Sequence, residues 1–346
     1  MRRKTRPGGD ERAAILGPFF TVNASFFMGL FFLVSAYFLP GTYDRKGAGA
    51  FLRDRGLRLG LPLVFFALAI FAPIAYATDY REAGGQLSFW QYLVRVYLGE
   101  WQVEIGHLWF VAHLLVYSLA YALWRRFAPQ GTGGSPWDGT VPGTRSILLY
   151  VVGLAAVTWV VRAWYPIDRW ERLLLVVPAE VAHLPQYASL FVIGLVAARR
   201  DWFRRFPTAP GLAWLGIGLA AAVWRYAYSL SGMTMLSASG SSGRALVSGL
   251  FWTTWEALLC VGLSIGLVVL FRECANRQGR LLRLLAANTY GVYLVHVLLI
   301  VGLQFAVAGA DLPPLAKFAV VTLVGVPVCF LVSDGLRRLP GLRRIL

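Results

Sequence analysis

The stretch from Ser25 to Pro40, SFFMGLFFLVSAYFLP, is long, apolar and free of charged side chains. Such a run is more stable in lipid than in water, and lipid offers no hydrogen-bond partner to an exposed peptide group. The run is therefore predicted to be a membrane-spanning helix. The basic segment that follows, from Arg45 to Arg58, is predicted to stay on the cytoplasmic side, because Lys and Arg resist translocation.

The composition of the whole chain predicts a protein that crosses the membrane many times. Of its 346 residues, 58% are hydrophobic and only 14% are charged. In soluble domains, about a quarter of all residues are charged. The net charge of +16 falls in short clusters between apolar runs, which indicates membrane topology rather than nucleic-acid binding. We predict an all-α, polytopic transmembrane helix bundle that forms one domain over residues 1–346.

The apolar runs divide this domain into about nine predicted spans, and alternate loops between them are rich in arginine. Those loops and the C-terminus are predicted to be cytoplasmic, in a multi-pass protein of a bacterial inner (plasma) membrane. Residues 1–12 are a polar, basic tail, and residues 129–145 are predicted to form a flexible cytoplasmic loop. The predicted spans are 16–39, 57–77, 104–124, 146–164, 181–198, 211–230, 246–270, 285–308 and 313–333.

Ionisable side chains inside these spans are costly and therefore mark candidate sites. Glu256 lies in the outer half of its span, where it could bond to a neighbouring helix or belong to a functional site. His296 lies in mid-span, and Tyr293, three residues earlier, lies on a neighbouring part of the same surface. These two side chains could stabilise the bundle by a hydrogen bond or take part in proton transfer.

Three further histidines lie in or beside the predicted spans. His107 opens the third span and His113 lies deeper in it. Their spacing turns them about 120° apart on a helix, unlike the same-face pair of a zinc-binding helix. No metal site is therefore predicted. His183 begins the fifth span at its outer face and is interpreted as an interfacial residue.

Arg53, Arg55 and Arg58 lie at the inner end of the second span, just before Pro62. Arg55 and Arg58 are three residues apart and face the same way if the segment is helical. A pair of guanidinium groups suits the geometry of phosphate. The alternative interpretation is ordinary positive charge on the inner side of the membrane.

Four segments together resemble the membrane acyltransferase family 3, whose members use acyl-CoA to acylate sugars and other extracytoplasmic acceptors. Residues 31–37, FFLVSAY, resemble the family's FFxxSGF/Y helix, with Ala36 where glycine is usual. Residues 55–62, RGLRLGLP, resemble its RxxRLxxP segment, and residues 107–110, HLWF, match its HLWF element. Residues 288–296, NTYGVYLVH, are similar to its SxYxxYLxH helix.

The resemblance implies a membrane-bound O-acyltransferase that moves an acyl group, other than an amino-acyl group, from acyl-CoA to a hydroxyl of an extracytoplasmic carbohydrate or similar acceptor. Family members usually have ten spans, and a histidine on the first is the presumed base. This chain begins after that helix, so the base is expected there or among the histidines of this chain. The implied roles are CoA phosphate binding by Arg53, Arg55 and Arg58, proton transfer by His107, His113 or His296, and orientation of the base by Tyr293 and Glu256.

Two other functions stay open at this point. The chain could be a transporter or exporter of a polar glycan or acyl group, or a catalytically inactive family member that binds without turnover. Transporters often contain paired broken helices in two repeated halves, and no internal repeat is visible here. The expected partners are acyl-CoA, a carbohydrate or other hydroxyl acceptor and the lipid bilayer, with no nucleic acid and no metal.

Overall fold

The computed structural model describes residues 15–127, 140–173, 177–231, 242–276 and 279–345. The predicted tail at residues 1–12, and most of the predicted loop at residues 129–145, lie outside these ranges. Within them the chain forms long helices joined by short connections. The long helices are α1 (Gly17–Lys46), α2 (Ala48–Tyr80), α3 (Gly106–Phe127), α4 (Thr144–Trp164), α5 (Val181–Arg199), α6 (Thr208–Leu230), α7 (Ser242–Cys274), α8 (Arg280–Ala308) and α9 (Pro314–Arg338).

Helix α2 is the least regular of these, because prolines interrupt its hydrogen bonding. Pro62 and Pro73 lie in the first turns of the α-helical pieces Leu61–Phe65 and Ala72–Ala75. A proline has no N–H to donate to the preceding turn, and a wider π-helical turn can absorb the mismatch. Such π-helical turns precede or follow these pieces at Gly56–Gly60, Phe66–Phe71 and Tyr76–Tyr80.

The shorter elements lie mainly in the connections. Trp170–Leu173 (β1) and Val177–Glu180 (β2) pair as an antiparallel hairpin between α4 and α5. This hairpin leads directly into the first turn of α5 and places Glu180 against it. The other short elements are the helix Phe89–Tyr92, the π-helical turn Leu93–Leu98, the helix Trp202–Arg205 and the 3-10 turn Leu342–Arg344.

Eight helices of the described residues are long and apolar enough to cross a membrane, against nine predicted spans. The predicted span 211–230 corresponds to α6, which is helical over 23 residues and rises about 35 Å at 1.5 Å per residue. Arg225 and a high content of Gly, Trp and Tyr lower its hydropathy. The prediction of an all-α helix bundle is confirmed, and the difference in number concerns the hydropathy of α6 alone.

The centre of the bundle is formed by α1, which packs against α5 and α7. Phe32 of α1 is fully buried among aromatic side chains of α3 and α5, including Phe110 and Tyr187. Gly194 of α5 lies directly against the carbonyl oxygen of Leu33 in α1, where a Cβ atom would clash. Small residues at such crossings let helices in a membrane approach closely.

The outer surface of the bundle is strongly apolar. Leu149, Phe305 and Leu323 are 73%, 77% and 75% exposed, although leucine and phenylalanine are usually buried in soluble proteins. Helices α8 and α9 pack against each other and have the smallest buried fractions among the eight apolar helices. Lipid accommodates these side chains, so the chain is an integral membrane protein.

The arginine-rich loops meet at one end of the bundle, which we call the arginine-rich end. Asp44, in the last turn of α1, accepts hydrogen bonds from Arg125 at the end of α3 (3.0 Å) and Arg199 at the end of α5 (2.5 Å). At the opposite end, the β1–β2 hairpin reaches α3, where the ring centroids of Trp170 and Trp109 are 5.7 Å apart. The alternating loops of the sequence therefore occupy two separate ends of the molecule.

Candidate active site

Two tyrosines of α8 bond to two of the motif segments, residues 55–62 and residues 107–110. Tyr290 donates its hydroxyl hydrogen to the backbone carbonyl of Arg58 in α2. Tyr293 donates to the backbone carbonyl of His107 at the start of α3. Residues three apart lie close together on a helix surface, so one patch of α8 holds both segments. Positions far apart in the sequence thereby form one site.

His107 lies in this site with one nitrogen engaged and the other free. Its Nε2 atom is 3.1 Å from the carbonyl oxygen of Leu294. A carbonyl only accepts hydrogen bonds, so Nε2 carries the proton and Nδ1 carries the lone pair of the neutral ring. Among the described residues Nδ1 is buried without a hydrogen-bond partner. It is therefore the nitrogen of this ring that can accept a proton.

His296 lies beside His107, with ring centroids 5.2 Å apart. Its Nδ1 atom is 2.7 Å from the carbonyl oxygen of Tyr293, which by the same argument leaves the lone pair on Nε2. The ring of Tyr293 is 5.7 Å from both imidazoles. The structure thus brings together three of the predicted site residues.

His113 lies apart from that pair and deeper in the bundle. It is 2% exposed and is surrounded by the rings of Phe32, Trp109 and Tyr117. Its Nδ1 atom is 3.1 Å from the carbonyl oxygen of Trp109, and its Nε2 atom is buried without a partner among the described residues. The Trp109 carbonyl of its own helix orients this imidazole, whose other contacts are with aromatic rings.

Glu256 belongs to a different cluster, which we call the ionic network: Arg162, Glu180, His183 and Glu256. Arg162 donates to both carboxylate oxygens of Glu256, at 2.6 and 2.9 Å. His183 Nε2 lies 3.2 Å from Glu256 and His183 Nδ1 lies 3.0 Å from Glu180. Each ring nitrogen of His183 therefore lies within ion-pair distance of a carboxylate oxygen.

Glu180 closes the ionic network at the end of the hairpin. Burial opposes its ionisation, but two contacts favour it: His183, and the backbone N–H of Asp168, which donates to Glu180 at 2.7 Å. These contacts outweigh burial and hold the pKa of the Glu180 carboxyl below its usual value. The network therefore places two carboxylates against one guanidinium and one imidazole. It joins α4, α5 and α7 in an apolar setting, where unpaired charge is costly.

The ionic network corrects two expectations from the sequence. Within the described part of the chain, Glu256 bonds to Arg162 and His183 and to none of His107, His113 and His296, so it does not orient any of these three directly. His183 is more than an interfacial residue, since it is clamped between two carboxylates. The spacing of Glu180 and His183, three residues apart, was a signal that could have suggested this pair.

The three predicted phosphate-binding arginines do not share one surface. Arg53 and Arg58 line an open depression at the arginine-rich end. The guanidinium of Arg55 instead lies over the ring of Phe51, 5.2 Å from its centroid. The π-helical turn Gly56–Gly60 lies between Arg55 and Arg58. Arg55 therefore packs on an aromatic ring and does not line the depression with Arg53 and Arg58.

No group of three or more His, Cys, Asp or Glu side chains is arranged to hold a metal ion within the ranges that the structure describes. The ionic network contains three residues of these types, but Arg162 occupies both oxygens of Glu256.

Comparison with known proteins identifies the family. A family model described as an acyltransferase domain matches residues 5–334. No curated protein matches the chain, and no solved structure matches it either. The family match covers well over half of the chain and includes the two tyrosines, the histidine pair and the ionic network. The chain therefore belongs to the membrane acyltransferase family 3 and is an acyltransferase.

Proposed function

We propose that this protein transfers an acyl group from acyl-CoA to a hydroxyl group of a carbohydrate or similar acceptor. In this proposal it lies in a bacterial plasma membrane, with the arginine-rich end and the C-terminus in the cytoplasm, because Lys and Arg are retained on that side. Acyl-CoA is a cytoplasmic donor and therefore approaches the arginine-rich end. The acceptor approaches the opposite end.

The observation that carries the proposal is the double attachment of α8. Tyr290 holds the backbone of Arg58, and Tyr293 holds the backbone of His107. The two tyrosines are three residues apart, so at a rise of 1.5 Å per residue their positions differ by about 4.5 Å along the axis of α8. The phosphates and the thioester of acyl-CoA lie at opposite ends of an extended arm. A donor whose phosphates bind arginine therefore places its thioester deeper in the bundle, toward His107.

His107 is the group we assign to proton transfer. The acceptor oxygen bonds to the thioester carbonyl carbon, and its proton passes to Nδ1 of His107. The carbon–sulfur bond then breaks, and the proton neutralises the CoA thiolate. His296 supplies a second lone pair beside His107, and Tyr293 fixes the backbone that bears the base. A positioned base contributes about 10²- to 10⁴-fold to a rate.

Exposed indole rings support a carbohydrate acceptor. Trp90, Trp101, Trp164 and Trp170 are between 48% and 71% exposed, and Trp170 packs near Trp109 at the end opposite the arginines. Flat apolar rings with one polar edge are suited both to a membrane interface and to stacking on a sugar ring.

The test is turnover of acetyl-CoA by the purified protein in lipid nanodiscs, followed as release of the CoA thiol. Hydrolysis by water is measured first, because it needs no identified acceptor, and a panel of saccharides is then added. We expect thiol release that His107→Gln lowers about 100-fold, while the Kd for CoA changes less than about twofold.

Two outcomes would contradict the proposal. Binding of CoA by the native chain without any thiol release would indicate a catalytically inactive family member. Transport of a glycan across the liposome membrane without acyl-CoA, together with no release of CoA thiol when acyl-CoA is added, would indicate an exporter.

A further inference from the structure

The C-terminal segment after α9 turns back toward the start of α2. Helix α9 ends at Arg338 because Leu339 is extended (ψ 135°), as expected for a residue that precedes proline. Gly341 has a φ of 92°, a value that glycine adopts without strain. The 3-10 turn Leu342–Arg344 follows. The reversal is therefore encoded by Pro340 and Gly341.

This reversal creates an open depression with a volume of about 750 Å³ at the arginine-rich end. The start of α2 forms one wall, and the end of α9 with the 3-10 turn forms the other. The arginines that line it are Arg53, Arg58, Arg337, Arg338, Arg343 and Arg344. The family match ends at residue 334, so the second wall lies beyond the matched residues.

The positive charge of this depression is poorly neutralised. Asp54 is the only acidic residue lining it, and it is shared between Arg58 (3.5 Å) and Lys46 (3.1 Å). Arg338 pairs with Asp334. Within the described ranges Arg53, Arg343 and Arg344 make no ion pair, and Nε of Arg337 is buried without a hydrogen-bond partner. Like charges held together repel, and an anion that bridges them relieves the repulsion.

We propose that the C-terminal segment Arg337–Arg344 is the second wall of a binding site for the phosphate groups of acyl-CoA, opposite Arg53 and Arg58. This inference rests on the proposed function, since it assigns the donor of that reaction to this depression. Arginine binds phosphate through two parallel hydrogen bonds. A ligand with several phosphates can therefore engage both walls at once, which a single phosphate cannot.

The experiment measures the Kd of CoA by calorimetry for the full-length protein in nanodiscs of phosphatidylcholine alone. The variant Arg343→Ala plus Arg344→Ala tests the second wall, and Arg53→Ala plus Arg58→Ala tests the first. The matched control is Arg280→Ala plus Arg283→Ala, two exposed arginines at the start of α8 that do not line the depression. We expect each test variant to raise the Kd about tenfold or more, and the control to stay within about twofold.

A second set of nanodiscs, with phosphatidylglycerol added, separates CoA from a lipid headgroup as the source of the phosphate. Weaker CoA binding by the Arg343/Arg344 variant in both lipids supports the proposal. Unchanged CoA binding in phosphatidylcholine would overturn it, whether or not the variant differs in phosphatidylglycerol. If the native chain releases CoA thiol while that variant binds CoA normally, the second wall is wrong and the proposed function stands. If the native chain does not bind CoA at all, both are wrong.

Discussion

Tyr293 of α8 donates its hydroxyl hydrogen to the backbone carbonyl of His107, and the His107 imidazole in turn contacts the carbonyl of Leu294, the next residue of α8. The two segments thus hold each other by reciprocal hydrogen bonds. Neither the ring of His107 nor its backbone can shift without breaking one of them. The Tyr293 hydroxyl therefore holds the backbone of His107, and the Leu294 carbonyl holds its ring.

Replacement of Tyr293 by Phe removes that hydroxyl and leaves the His107 carbonyl without a donor. We expect the free energy of unfolding to fall by about 1–2 kcal/mol and kcat for thiol release to fall about tenfold, because the base loses its position. The matched control is Tyr150→Phe, which removes another semi-buried hydrogen bond, 2.8 Å from Ser189. A similar loss of kcat in the control would contradict the positioning role.

The three candidate histidines differ in their surroundings, and their variants should differ in the same order. His107→Gln should lower kcat most, His296→Gln less, and His113→Gln by less than about tenfold, because His113 lies apart from the other two histidines and is enclosed by aromatic rings. Rates per mole of folded protein, with folding checked by thermal unfolding, give this comparison. A larger effect at His113 than at His107 would place the proton transfer deeper in the bundle.

The ionic network should matter mainly for stability. The side chains of Arg162 and Glu256 are only 12% and 10% exposed, so Arg162→Met leaves a buried carboxylate without its main partner. We expect it to cost about 3–5 kcal/mol in free energy of unfolding. Unfolding in detergent micelles measures the difference.

The exposed pair Arg169 and Glu171 is the control for this prediction. Its atoms are 2.7 Å apart, but the side chains are 55% and 36% exposed. Water and salt screen such a pair, so Arg169→Met should cost less than about 1 kcal/mol. Equal costs for the two arginine variants would show that burial does not decide the strength of the network.

Gly194 should tolerate no side chain. A Cβ atom there meets the carbonyl of Leu33, and backbone atoms cannot move away as a flexible side chain can. We expect Gly194→Ala to destabilise the bundle by about 1–3 kcal/mol. Gly153 of α4 has open space at the same position, and Gly153→Ala should be neutral or stabilising. If both variants unfold alike, α1 and α5 do not cross as closely as the structure indicates.

The features that depend on a local pattern of residues could be predicted from the sequence alone. Uncharged apolar runs such as Ser25–Pro40 predicted the helices, and the spacing of Tyr293 and His296 predicted that they share a surface. The grouping of His107 with these two residues followed from motif resemblance rather than from any local rule. The all-α bundle was therefore predictable, and part of the site was as well.

The remaining features arise from contacts between distant segments or from irregular backbone. Arg162 and Glu256 lie on α4 and α7, and no periodicity links residues so far apart. Arg55 packs over Phe51 and does not line the depression that Arg58 lines, a difference that the three-residue spacing did not indicate. The proposed role of Arg343 and Arg344 depends on the reversal of chain direction at Pro340 and Gly341. This reversal was not among the predictions made from the sequence.

The most direct test of the account is sided acyl transfer in proteoliposomes whose orientation is determined by protease accessibility. Acetyl-CoA is supplied only to the arginine-rich end or only to the opposite end, and CoA thiol release is measured for the native chain and for His107→Gln. The account predicts thiol release only when acetyl-CoA reaches the arginine-rich end, with a drop of about 100-fold in the His107 variant. Equal release from the opposite end, or release that His107→Gln leaves unchanged, would contradict it.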